Sequence, residues 1–212
     1  MNASKIVALL PTVVAPLALA QPFPAKPIRF IVPYTAGGGV DAVARILGQR
    51  LAEAWSQQVI VENRGGAQGS IGNAVVAKAT PDGYTILVGE GGALCINPHL
   101  YPNVGFNTQR DFAPITQAIQ QPSILFVHPS VPAKSIRELI SLAKTKPGRL
   151  TFGTSSASPQ IAGQMFQIIA KIKMTHVPYK GSSMALIDIV GGQIDVMMSG
   201  PSGPLPFIRN VV

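Results

Sequence analysis

Residues 28–45 run from a short apolar strand (Ile28, Phe30, Val32) through Pro33 and the loop Tyr34-Thr35-Ala36-Gly37-Gly38-Gly39-Val40-Asp41 into a helical pattern. A strand that delivers a glycine loop to the start of a helix is the feature that most constrains this chain. It demands α/β architecture and builds an anion cradle, because glycines let backbone N–H groups approach a ligand and the helix adds the positive end of its dipole. Asp41 suits the first turn of that helix, and Val43, Ile46, Leu47, Leu51 and Ala54 supply an apolar face. No further glycine follows at dinucleotide spacing and no Gly-Lys-Ser/Thr follows at all, so neither nucleotide motif is satisfied. A strand-to-helix turn without any ligand is the alternative reading of the same residues.

Strands and helices alternate beyond it. Val59-Ile60-Val61 predicts a strand leading to a second glycine loop, Glu62-Asn63-Arg64-Gly65-Gly66-Ala67-Gln68-Gly69, then a helix over 71–79, a turn at Pro81-Asp82-Gly83 and a strand over 84–88. This βαβαβ order predicts a parallel sheet covered by helices. Regularity weakens over 90–122, which reads as a crossover between two lobes. A strand over 124–127 follows, and Ser135 with Glu138 forms a capping box ahead of a helix that stops at Pro147-Gly148. The remaining pattern predicts strands over 150–152, 174–177 and 194–198 and helices over 159–170 and 182–190. Ligands of such sheets bind at the carboxyl ends of the strands. In the second lobe that position falls on Gly153-Thr154-Ser155-Ser156-Ala157-Ser158-Pro159, whose hydroxyl and N–H groups can donate to a carboxylate. Alternatively, Ser156 or Ser158 merely caps the helix that Pro159 opens.

The formal charge of +8 suits nucleic acid, an anionic membrane or small anionic solutes. Nucleic acid is the weakest of these, since the basic residues are scattered and the two near-clusters, Lys144-Thr145-Lys146 and Lys171-Ile172-Lys173, lack interleaved aromatics. Residues 1–20 read as a secretory signal: Lys5, an apolar run interrupted by Pro11 and Pro16, and the small residues Ala18 and Ala20 before a start at Gln21. Export to the periplasm is the expectation. Cys95 is alone, so an exported chain has no internal disulfide, and a buried small hydrophobe is its expected role. His99, His128 and His176 show no metal-ligand spacing, so neither metal nor cofactor is expected. No Gly-x-Ser-x-Gly and no histidine with an acid partner point to catalysis. A binding protein is the leading reading; an α/β enzyme holding a phosphate on the glycine loop, or a solute-sensing lobe for a signalling partner, are the alternatives.

A set of strings occurs in one order along the chain: Val32-Pro33-Tyr34-Thr35-Ala36-Gly37-Gly38, Asp41 with Ala44-Arg45, Val61-Glu62-Asn63-Arg64, Ile71-Gly72, Pro81-Asp82-Gly83-Tyr84-Thr85, Asn97-Pro98, Leu100-Tyr101, Asp111-Phe112-Ala113-Pro114-Ile115, His176-Val177-Pro178-Tyr179-Lys180-Gly181 and Gly192-Gln193-Ile194-Asp195. Together they resemble the substrate-binding receptors of tripartite tricarboxylate transporters, the Bug family. The resemblance implies a two-lobed α/β fold of the type II periplasmic-binding-protein, or Venus-flytrap, kind that closes on a small organic acid and hands it to membrane permease subunits. The lobes then divide as 21–119, with the crossover, and 120–212. Ligand contacts implied by the family fall on Tyr34, Thr35, Ala36, Gly37, Gly38 and Asp41 in the first lobe and on Thr154, Ser155 and Ser156 in the second. Tyr179, Lys180 and Gly181 form a further cleft-facing loop, with Lys180 equally readable as a solvated charge. The family continues past the position of Arg209 to complete the first lobe, so the resemblance implies a chain lacking that C-terminal part. Lys171 stands where the family has a helix-closing glycine, which predicts a strained left-handed cap.

Overall fold

A computed structural model describes residues 22–207. The signal segment over 1–20 and the start at Gln21 lie outside the described residues. The first sheet holds β1 (Ile28–Val32), β2 (Val59–Asn63) and β3 (Thr85–Leu87) in the order β2-β1-β3, all parallel. Its central strand explains its own composition: Ile28, Phe30, Ile31 and Val32 are buried because helices cover both faces, while Arg29 points out and pairs with Glu62 at 2.6 Å.

Helix α1 (Gly39–Trp55) packs Val40, Ala44, Leu47, Leu51 and Trp55 against this sheet. Ile46 is 64% exposed, contrary to expectation. Two positions on from buried Ala44, it lies on the far side of a helix with 3.6 residues per turn. A tight turn at Ala67–Gly69 leads to α2 (Ser70–Ala77).

The crossover is more ordered than its sequence suggests. It contains a π-helical turn (Gly92–Ile96) and the short helices α3 (Asn97–Leu100) and α4 (Thr108–Asp111), the last capped by the Asn107 side chain. Cys95 sits on the π-helical turn and is exposed, which corrects the expectation of a buried residue. One extra residue per turn rotates it outward while Gly92 and Ala93 remain buried.

The second sheet comprises β4 (Ile124–Val127), β5 (Thr151–Thr154), β6 (Thr175–Pro178) and β7 (Val196–Ser199) in the order β4-β7-β5-β6. Strand β5 is parallel to β6 and β7, while β4 joins β7 antiparallel with Ile124 opposite Ser199. Helices α5 (Ile136–Thr145), α6 (Ala157–Ala170) and α7 (Ser182–Val190) cover it. Leu139, Ala143, Phe152, Met174 and Val196 fill one face, and Ala185, Ile189, Ile194 and Met197 the other. Helix α6 begins two residues before Pro159, which therefore occupies its first turn, where a missing N–H costs nothing. It ends as the sequence predicts, with Lys171 left-handed at φ 52°, ψ 49°.

Among the described residues the chain crosses from the first sheet to the second once, between β3 and β4, and turns back toward the first lobe after β7. Beyond β7, the chain brings Gly200 against the Gln121 side chain on the segment entering β4, and then Ser202 against Gly39 at the start of α1. A short 3-10 turn, Leu205–Phe207, closes the described residues.

Candidate functional site

Strand β1 ends because Pro33 has no N–H to continue the ladder. Tyr34 is buried in the first-lobe core, Thr35 is half-buried, and Ala36 and Gly37 form the exposed tip of the loop. Gly37 adopts φ +80°, a conformation that requires glycine here. Gly38, by contrast, is extended (φ −87°), so its lack of a side chain answers to space: a Cβ would stand 2.7 Å from Ser182 Oγ.

Asp41 braces this loop. It is 3% exposed; its Oδ2 accepts from Gly37 N (2.9 Å) and Arg45 Nε (3.0 Å), and its Oδ1 from Asn63 Nδ2 (3.0 Å). Burial alone would push its carboxyl up, but the bonds from Arg45, Gly37 and Asn63 together hold it below the usual aspartate value. Asn63, at the end of β2, also donates to the Tyr34 carbonyl at 3.1 Å and so bolts two strand ends together. Its role was not read from sequence, although its place at a strand terminus beside a glycine loop is the signal for it.

The N-terminus of α7 meets this loop from the second lobe. Thr35 Oγ1 and Ser183 Oγ lie 3.0 Å apart. A Cβ on Gly181 would run into Thr35 Oγ1 and lie 2.9 Å from Thr35 N, and the Lys180 carbonyl packs beside Gly65. Gly181 is extended at φ −177°, so close approach alone makes it a glycine. The Lys180 side chain is exposed.

Helix α6 meets the first lobe at a second place. Ser156 Oγ donates to Glu90 Oε2 at 3.2 Å, and Gln68 Nε2 donates to Gln160 Oε1 at 2.7 Å. Glu90 follows β3 at the carboxyl end of the sheet, beside the Tyr34 hydroxyl. Burial pushes both groups up, and the negative charge of Glu90 raises the phenol further. Neither Tyr34 Oη nor Glu90 Oε1 completes a well-aligned hydrogen bond, and both atoms are buried.

The other second-lobe candidates face inward. Thr154 is 1% exposed and its hydroxyl meets His176 Nε2 at 2.7 Å; Ser155 is buried beside it. Tyr179 packs on Gly153 and donates its hydroxyl to Asp188 Oδ2 at 2.6 Å, tying β6 to α7; burial and that carboxylate raise its pKa. The structure therefore gathers Thr35, Gly37, Gly38 and Gly181 at one contact and Tyr34 and Ser156 at another. The side chains of Asp41, Thr154 and Tyr179 shape these loops from behind. Glu90, Ser182, Ser183, Gln68 and Gln160 join the site from outside the residues singled out in sequence.

Helices α1, α6 and α7 share one trait. The residues at their N-caps, Gly38, Ser156 and Gly181, make no side-chain capping bond. All three helix starts lie at contacts between the lobes: Gly38 against Ser182, Gly181 against Thr35 and Ser156 against Glu90, and helix ends left without caps can take up an anion. Among the described residues no group of three or more His, Cys, Asp or Glu side chains is placed to hold a metal ion.

Comparison with known proteins gives this arrangement its context. A Pseudomonas protein, the UPF0065 protein in the tcbD-tcbE intergenic region, is 40% identical over 178 residues, which are 83% of this chain and 53% of the relative. Protein BugT of Bordetella pertussis is 31% identical over 218 residues, 99% of this chain and 67% of BugT. The chain thus spans about half to two thirds of the length of these relatives. Among solved structures, an R. palustris protein with adipate superposes at a TM-score of 0.86 and 31% identity, over 88% of this chain and 63% of that one. MatC from Rhodopseudomonas palustris, with bound malate, gives 0.83 at 28% identity over 88% and 64%. The periplasmic binding protein BugD gives 0.79 at 30% identity over 88% and 62%. The two α/β sheets are those of a periplasmic binding protein, and the sequence pattern of the tripartite tricarboxylate transporter family receptors matches residues 43–210. With glycine loops and open helix ends set face to face in that fold, the chain belongs to the tripartite tricarboxylate transporter receptor family.

Proposed function

We propose that this chain captures a small organic acid between its lobes, 21–119 and 120–212, and passes it to the membrane permease subunits of a tripartite transporter. The observation that carries this reading is the set of helix starts without side-chain caps, α1 in one lobe and α6 and α7 in the other, that lie at the contacts between the lobes. Donors already aimed at a carboxylate cost little ordering when the ligand arrives, so affinity comes from preorganisation and closure. Backbone of Tyr34, Thr35, Ala36, Gly37 and Gly38 supplies the first-lobe half, with Asp41 as its brace. Thr154, Ser155 and Ser156, together with Tyr179, Lys180 and Gly181, supply the second. No bond is made or broken in this reading; the chain is a receptor and not an enzyme.

Adipate and malate, the acids held by two similar proteins, are the first probes. Calorimetry on the purified chain is expected to show saturable binding of at least one. Thermal unfolding is expected to shift upward as ligand rises, by about 2.7 kcal/mol of added stability at a hundredfold excess over Kd. A folded chain that gives neither heat nor shift with adipate, malate or a wider panel of di- and tricarboxylates overturns the reading. Residues 1–20 direct export in this proposal, so the soluble envelope form is expected to begin at Gln21 by intact mass; a form retaining Met1 there excludes it.

A further inference from the structure

The two short basic runs, Lys144-Thr145-Lys146 and Lys171-Ile172-Lys173, are far apart in sequence and meet in the fold. Helices α5 and α6 end at the pole of the second lobe where β5 and β6 begin, with Thr151 beside Thr175 in parallel register. The turns that follow the helices are stitched together: Gly148 N donates to the Lys173 carbonyl at 2.8 Å, and Thr175 Oγ1 to the Gly148 carbonyl at 2.8 Å. Arg149, next to Gly148, adds a fifth cation. All five residues are exposed, and among the described residues none of them pairs with a carboxylate. The acids of this lobe are engaged otherwise. Glu138 caps the opposite end of α5, Asp188 accepts from the Tyr179 hydroxyl, and Asp195, which lies at this pole, accepts from Thr151 N and Oγ1. Complementing a helix dipole accounts for Lys144, Lys146 and Lys171 at the helix ends, but Arg149 and Lys173 lie past both helices.

An apolar stripe adjoins these cations. Met165, Ile168 and Ile169, at i, i+3 and i+4 on α6, are 54%, 74% and 77% exposed, and the stripe ends at Lys171, whose N–H donates to the Ile168 carbonyl at 3.2 Å. Cations on long stems beside bare isoleucines suit the boundary of an anionic bilayer, where phosphodiester groups take the charges and acyl chains the apolar side chains. Nucleic acid offers the isoleucines nothing, and neither basic run carries an aromatic to stack on a base. We propose that this pole of the second lobe docks on an anionic phospholipid bilayer, with the five cations on headgroups and Ile168 and Ile169 at the acyl boundary. The pole lies at the opposite end of β5 and β6 from the loops that meet the first lobe, so docking leaves the contact between the lobes clear of lipid. This goes beyond the receptor reading and stands independently of what the lobes hold.

Co-sedimentation with vesicles tests it, using phosphatidylcholine alone against phosphatidylcholine with about one third phosphatidylglycerol. The chain is expected to bind the anionic vesicles roughly tenfold or more tighter than the neutral ones at low salt, and to leave them as salt screens the charges. In the triple variant Lys146→Gln, Lys171→Gln, Lys173→Gln, binding is expected to fall about a hundredfold, roughly fivefold per charge removed. The triple variant Lys78→Gln, Lys134→Gln, Arg137→Gln removes the same charge from exposed positions off the patch and is expected to lose less than about fivefold. Ile168→Gln with Ile169→Gln leaves the charge unchanged and is expected to cost about tenfold. Residues 1–20 are common to every form, so the differences report the patch, and circular dichroism checks that each variant folds. Equal binding to both kinds of vesicle, no binding by the folded native chain, or equal losses in the two triple variants overturns the proposal; undiminished binding by the isoleucine variant overturns the part given to the apolar stripe. Calorimetry with adipate and malate on the same preparations reads the receptor function separately, and a failure there leaves lipid docking untouched.

Discussion

Helices α5 and α6 both begin at a serine in the same extended backbone conformation, Ser135 at φ −147°, ψ 159° and Ser156 at φ −154°, ψ 168°, and use it in opposite ways. Ser135 Oγ accepts from Glu138 N at 3.2 Å, and Glu138 reaches back to the Lys134 N–H at 2.8 Å. Ser156 leaves its own helix uncapped and donates across to the other lobe. The first serine serves the stability of one helix. The second gives up that contribution, about 1 kcal/mol for a typical cap, and leaves N–H groups free at the place where the lobes meet. Gly38 and Gly181 do the same for α1 and α7 by having no side chain to offer. Of the three helices that cover the second sheet, α5 alone has a side-chain cap, and α6 and α7, which touch the first lobe at their starts, have none.

The strongest way to break that division is at α7. Gly181→Val puts a side chain where Thr35 stands, and the overlap is expected to cost closure roughly 1–3 kcal/mol, a ten- to hundredfold loss of carboxylate affinity with the second lobe still folded. Calorimetry with circular dichroism checks it; undiminished affinity in a folded variant removes α7 from the site.

Asp41 tests whether the uncapped start of α1 is held from behind. Asp41→Asn is expected to lower stability by about 2 kcal/mol near neutral pH, because hydrogen bonds to a charged acceptor are weakened. The native carboxyl lies below its ordinary value of 3.8, so its contribution is complete above that pH and is lost as pH falls through the depressed folded value. Melting curves of the two proteins are therefore expected to converge below about pH 3.8. A gap that stays constant down to pH 2 assigns the effect to shape and not to charge.

The two serines give the direct contrast. Ser135→Ala is expected to lose about 1 kcal/mol of stability, a melting shift of about 3 °C, with unchanged ligand affinity. Ser156→Ala is expected to move affinity by roughly tenfold while lowering the melting temperature less than Ser135→Ala does. The reverse pattern dissolves the comparison. Smallest of all, Lys171→Gly relieves the left-handed cap of α6 and is expected to stabilise the protein by about 0.5 kcal/mol, after the greater unfolded freedom of glycine is subtracted. Differential scanning calorimetry resolves the sign.

Legibility in the sequence followed the range of the interactions involved. The capping box at Ser135 and Glu138 and the span of α7 depend on neighbours within a turn, and the sequence shows them plainly. The start of α1 is readable as a glycine loop, yet Ile46 departs from expectation because its hydrophobicity fits the core and its angular position does not. Cys95 departs from expectation because a π-helical turn changes which residues face inward, and nothing local announces that turn. Glu90 carried no local signal: one acid after one strand gains meaning only from Ser156, 66 positions away. The residues proposed from family resemblance divide between the contacts of the two lobes, where Thr35, Gly38, Ser156 and Gly181 lie, and the lobe interiors, into which Tyr179 and Thr154 are turned.

The antiparallel seam between β4 and β7 has a mechanical consequence. Ile124 lies opposite Ser199, so the chain enters and leaves the second lobe side by side, and the passage continues with Gly200 against Gln121 and Ser202 against Gly39. Two ribbons laced edge to edge resist sliding past one another and resist wringing about their common length, while bending across their width disturbs few bonds. Bending where Gly200 and Ser202 pass Gln121 and Gly39 is therefore the expected way for the lobes to part, and it would act on the contact of Gly181 with Thr35.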